Sequence, residues 1–235
     1  MPTPFTVVAS NITPINATQT FAVTTAVNAG ATVVVAWGGN GPALTSITDS
    51  KGNTYTQRLT GGTSPVMQLW YCLALTSALT TSDTINAVHS GSGAAGESLI
   101  ARAMGPPRAV SAVGVAPAPT NQSIATPSIA SGVFTGYDQW VIGVLTGTNG
   151  AGAPSAPTGG FTIISTQHPG TNQFLTLAEL ITPGPASVAW GATVAGAFAT
   201  TIGVASFVIP AIPPVQLPGR RLRPFRAPSS AMAYR

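Results

Sequence analysis

Apolar residues recur at every second position in short runs along this chain, and Gly, Pro, Asn or Asp closes each run before it lengthens. A period of two places alternate side chains on one face of a strand, whereas an amphipathic helix needs a period near 3.6. The clearest runs are Thr20–Val27, Thr32–Trp37, Asn53–Leu59, Val66–Ala74 and Thr84–His89. Ser98–Met104, Trp140–Thr146, Phe161–Thr166, Gln173–Ile181 and Ala199–Ile209 extend the series. They are rich in Val, Ile, Thr, Phe and Trp, which suit a pleated, half-buried surface. Breakers such as Gly38-Gly39-Asn40-Gly41-Pro42, Gly61-Gly62 and Pro183-Gly184-Pro185 stand between them. The expectation is an all-β fold, an antiparallel β-sandwich of jelly-roll type, with one short helical turn at Thr76–Thr81.

Charge divides the chain into two parts. Fourteen of the 235 residues are charged, nine Lys/Arg and five Asp/Glu, a share of 6%; ordinary soluble domains carry roughly 25%. Residues 1–210 hold Lys51, Arg58, Arg102 and Arg108 against Asp49, Asp83, Glu97, Asp138 and Glu179, a net of −1. Residues 211–235 hold five arginines and no acid, a net of +5. A β-sandwich domain over 1–210 followed by an extended arm over 211–235 is the simplest partition. The 44% hydrophobic share supplies one sizeable core, or two small ones sharing an interface. Disorder of the body and a coiled coil are both excluded by this composition. Ala116–Pro127 reads as a crossing loop between two sheet halves.

The opening Met1-Pro2-Thr3-Pro4 has no basic segment followed by an apolar one, so no secretory leader is expected. No apolar run is long enough for a membrane helix, and no membrane partner is expected. Cys72 is the single cysteine, which excludes an intrachain disulfide and a thiolate metal cluster. Synthesis in a host cytoplasm follows as the expectation.

Enzyme chemistry finds little to work with. A Ser/His/acid triad needs a base, and His89 and His168 both lie away from any nucleophile elbow. A two-carboxylate pair could draw on Glu97 and Glu179, but carboxylates in sandwich strands normally face solvent. No metal site or cofactor is expected, because two isolated histidines show no ligand spacing. Asp49 and Asn53, with the Gly52 carbonyl, could offer oxygens to calcium. The same residues make a hairpin turn, with Asp49 closing an Asx turn and Gly52 taking positive φ, and that reading prevails. Trp37 and Trp190, at strand ends beside glycines, are the candidates for stacking on a glycan; the other strand aromatics read as core.

Arg220, Arg221, Leu222, Arg223, Phe225 and Arg226 form the sharpest feature. Six prolines from Pro210 onward prevent helix and sheet there. Arginine forks pair with carboxylates, and Leu222 and Phe225 offer apolar anchors for a protein groove. A nucleic-acid partner is not expected, because the body shows no basic excess of its own.

The box Ser46-Ile47-Thr48-Asp49-Ser50-Lys51-Gly52-Asn53-Thr54-Tyr55-Thr56 resembles one in β-sandwich domains of bacteriophage virion proteins and of extracellular actinobacterial proteins. As in that pattern, it is followed by Leu69-Trp70-Tyr71-Cys72, by Asp83–Val88, by Gln139–Gly143 and by a last strand ending Ser206–Pro210. The resemblance covers most of residues 30–210 and carries no catalytic residues. It implies a capsid decoration or minor tail protein of an actinobacterial phage, partnered by other capsid or tail subunits and forming a homo-oligomer. The competing expectation is a carbohydrate-binding module for host adhesion, with a surface glycan as partner.

Overall fold

The computed structural model describes residues 5–11, 18–91, 97–105, 110–134, 136–148, 154–168 and 173–210. The first half contributes β1 (Phe5–Asn11), β2 (Thr18–Ala22), β3 (Thr32–Gly39), β4 (Leu44–Asp49), β5 (Thr56–Gly61), β6 (Val66–Cys72), β7 (Thr84–His89) and β8 (Glu97–Met104). The second contributes β9 (Ala112–Val113), β10 (Thr120–Gln122), β11 (Ser128–Val133), β12 (Gln139–Thr148), β13 (Thr162–Gln167), β14 (Gln173–Thr182), β15 (Ser187–Gly191) and β16 (Thr200–Val208). No helix occurs among the described residues. At Thr76–Thr81, where one helical turn was expected, Leu79 instead exchanges backbone hydrogen bonds with Val27.

All pairing is antiparallel, and the sandwich is built twice. In the first half one sheet runs β1-β8-β3-β6-β5 and the other β2-β7-β4. First pairs with last, second with next-to-last and third with sixth, which is the winding of a jelly roll. The second half repeats it: β16 pairs with β9 and β10, β15 with β11, and β14 with β12, while β13 takes the edge position of β5. Where β4 would recur there is a single bridge, Ser155 to Thr193. The expected antiparallel β-sandwich is thus present twice, the two copies stacked as four layers.

Three cores follow from this stacking. Val33, Val35, Trp37, Ile47, Ile85 and Leu99 fill the first sandwich. Val141, Leu145, Phe174, Trp190 and Val204 fill the second. Between them Val34, Ala36, Leu69, Ile100, Trp140, Ile142, Leu177 and Phe207 form a central core from the facing inner sheets. β3, β8 and β12 are buried along their whole length, on both faces, so the alternation expected at Thr32–Trp37 gives way to a continuous apolar run. Strict alternation survives in the outer sheets, as in β2 and β7.

The halves meet in a symmetric way. β8 lies on β14 as β6 lies on β16, β3 on β14 as β12 on β6, and β5 on β16 as β13 on β8, with β3 and β12 crossing at the centre. Each of these contacts has its counterpart, the pattern of an isologous pair about a local two-fold, whereas β1 on β13 has none of similar extent.

Candidate functional site

The boxed segment Ser46–Thr56 links β4 in the outer sheet to β5 in the inner one. It is therefore an arch over the end of the first sandwich, not a hairpin: β4 pairs with β7, and β5 with β6. The turn chemistry within it is as the sequence implies. Gly52 has φ +75°, and Lys51 N donates to Asp49 Oδ1 at 2.9 Å. Asn53 N also reaches Oδ1, at 3.0 Å, while Asn53 Nδ2 and the Tyr55 hydroxyl donate to Oδ2 at 2.8 and 3.0 Å. Asn53 Oδ1 in turn accepts from Thr76 Oγ1 at 2.9 Å and Ser77 N at 3.0 Å, tying the arch to the β6–β7 connection. Four donors surround the Asp49 carboxylate, which leaves a cation little to bind. Burial and the Asp49 charge push the Tyr55 hydroxyl far above its ordinary pKa, so it stays a donor.

The second acid of this end, Asp83, is held the same way. Thr80 N, Thr80 Oγ1 and Ser50 Oγ each donate to it at 2.8 Å, and Lys51 Nζ lies 3.3 Å away. Those hydrogen bonds, led by the Thr80 amide, hold its carboxyl well below the usual range.

Both strand glutamates face inward, against the expectation of solvent exposure. Glu97 is wholly buried and accepts the Trp37 indole N–H at 2.7 Å, with His89 Nε2 2.9 Å from the same oxygen. Glu179 sits between the halves. Arg102 Nε donates to it at 2.9 Å, the Arg102 Nη2 to its second oxygen, and the Trp140 indole at 3.1 Å. The two glutamates belong to different cores, so they form no catalytic pair. Sequence reading named His89, Glu97 and Trp37 singly; the fold brings them together because β8 pairs with β3 in one sheet while β7 lies in the facing one.

Neither tryptophan offers a face to a sugar. Trp37 and Trp190 are 0% exposed. Trp190 packs against Phe161 with ring centres 5.2 Å apart and donates to the Val144 carbonyl at 3.2 Å. The neighbouring glycines serve close packing instead: a Cβ on Gly143 would lie 2.6 Å from the Trp190 ring. The glycan-contact reading of Trp37 and Trp190 is thus corrected by burial.

No family model, curated protein or solved structure matches the chain. The arm residues Arg220, Arg221, Leu222, Arg223, Phe225 and Arg226 lie outside the described residues. His168, the other candidate base, is exposed beside Phe174. Among the described residues no three His, Cys, Asp or Glu side chains come together as a metal site. Cys72 is buried, and burial pushes its thiol pKa up, away from nucleophilic use.

What the body presents outward is set by these inward arrangements. Asp49, Asp83, Glu97 and Glu179 are held inside the fold, Lys51 and Arg102 face two of them, and Arg58 donates to the Gly114 carbonyl. The outer faces show Thr18, Thr20, Thr48 and Ser128 with Ala130 and Ala189. That surface is hydroxyl-rich and almost uncharged.

Proposed function

We propose that this chain is a non-enzymatic structural protein of a bacteriophage particle, a capsid decoration or minor tail protein. Its double sandwich packs among neighbouring subunits, and residues 211–235 fasten it to them. The observation that carries this reading is the disposition of charge. The body directs its acids inward and leaves a hydroxyl surface, which suits permanent contact with neighbours better than free diffusion, where surface charge keeps proteins apart. The boxed segment, with its resemblance to virion sandwiches, supports the same reading.

The disposition of charge also bears on the partner. The acids of the body make their contacts within the fold, so an identical copy has few carboxylates for the arm's arginines. The arm therefore docks on a different, acid-bearing virion protein, with Leu222 and Phe225 as apolar anchors. Uncharged faces make the contacts between copies. An arm that orders on its partner loses conformational entropy, and many copies acting together offset that cost.

Antibody raised against the body and applied to purified particles tests the proposal. Label at regular positions on the capsid or tail is expected. Protein confined to the host lysate, with none on particles, would refute it.

A further inference from the structure

The end of β7 and the start of β8 carry two ionisable side chains that are fully buried, His89 and Glu97. His89 ends a strand of the outer sheet and Glu97 begins one of the inner sheet, so their contact ties the two layers of the first sandwich together. His89 Nδ1 lies 3.1 Å from the Pro42 carbonyl oxygen, and Nε2 lies 2.9 Å from Glu97 Oε2. The Nε2 approach is at ion-pair distance but out of line for a full hydrogen bond.

Both ring nitrogens thus face oxygen. A neutral imidazole has one N–H, and whichever nitrogen carries it, the other turns a lone pair toward an oxygen lone pair. Glu97 is no better placed as a bare anion. Its Oε2 takes the Trp37 N–H, while Oε1 has no partner. A buried carboxylate with one neutral donor is costly unless a proton or a cation accompanies it.

Among the described residues the surroundings supply no other charge. β3 contributes Trp37, whose ring meets the imidazole edge-on at 5.7 Å between centres. β4 contributes Leu44, opposite His89 in register, and β6 contributes Gln68, whose amide clamps the Leu44 backbone. Among the described residues, Glu97 of β8 is the ionisable group that faces His89.

We infer that the His89–Glu97 pair retains a proton at neutral pH, and that this proton clamps the two sheets of the first sandwich together at this end. It resides on the imidazole beside the Glu97 carboxylate, which removes the clash. Burial alone pulls the imidazole pKa down, but the Glu97 carboxylate and the Pro42 carbonyl outweigh it and set it above the ordinary value. A folded-state pKa raised in this way gives stability that is complete below the unfolded value, about 6.5, and lost as pH rises through the folded one. The clamp therefore loosens toward alkaline pH.

The test uses the full chain carrying His168→Gln, so that His89 is the single imidazole. Its Cε1 proton resonance and the urea midpoint are followed from about pH 5 to about pH 9. The His89 resonance should titrate above the unfolded chain's value, with the Trp37 indole N–H moving at the same midpoint and the urea midpoint falling alongside. Glu97→Gln, which removes the carboxylate charge beside Nε2 and leaves an amide oxygen to accept from Trp37, should flatten that fall. Titration of His89 at or below the unfolded value overturns the inference, as does an unchanged pH dependence in Glu97→Gln. Should Glu97→Gln not fold, the resonance titration decides alone.

Discussion

Asp49 shows how much one side chain organises in a protein with few charges. Its two oxygens take four donors, two of them side chains from Asn53 and Tyr55. Asp49→Ala leaves those buried donors unmatched, and each unsatisfied buried group costs about 1–3 kcal/mol. The expected outcome in urea denaturation is a loss of about 3 kcal/mol or more. Gly52→Ala is expected to cost less, about 1 kcal/mol, because only its positive φ opposes a side chain; a smaller loss for Asp49→Ala than for Gly52→Ala would contradict this account of the arch. The turn chemistry of the box was legible in the sequence, since Asp, Gly and Asn at that spacing act locally. The crossing from one sheet to another was not, because it depends on which strands β4 and β5 find as partners.

At the scale of elements, the inner strands join the halves and Arg102 on β8 holds Glu179 on β14 across the seam. Removing one partner of this part-buried pair leaves the other poorly matched, so Arg102→Met and Glu179→Leu should each cost about 1–3 kcal/mol. The double variant should cost much less than the sum, because two apolar side chains of similar volume suit the central core. A double-variant loss equal to the sum of the singles, measured in urea, would show that the two side chains act independently. Strand identity was readable here wherever Val, Ile and Thr repeat. Burial on both faces was also latent in Thr32–Gly39, whose apolar residues do not alternate. β11 and β15 escaped notice because Ser, Ala and Gly dominate them, and their place is set by packing over Trp190 and Phe134 and not by propensity.

For the whole molecule, the same winding appears twice on dissimilar sequences, and the two copies close on each other through a shared core. Sequence alone did not reveal this repeat. Its second copy reduces the β4 position to one bridge, and its inward residues differ in kind: Arg102 and Glu179 mark one side of the seam, Tyr71 and Phe207 another. What the sequence did expose is the separation of charge between a neutral body and a basic arm. The structure gives that separation a cause, since the body's acids are structural parts of its turns and interfaces. The central claim is that a nearly neutral body relies on residues 211–235 for attachment. The direct measurement is incorporation into assembling particles of the chain cut after Pro210, beside the full chain, quantified in purified particles. The account predicts that the shortened protein folds with unchanged urea stability but is largely missing from particles. Equal incorporation of the two would contradict it.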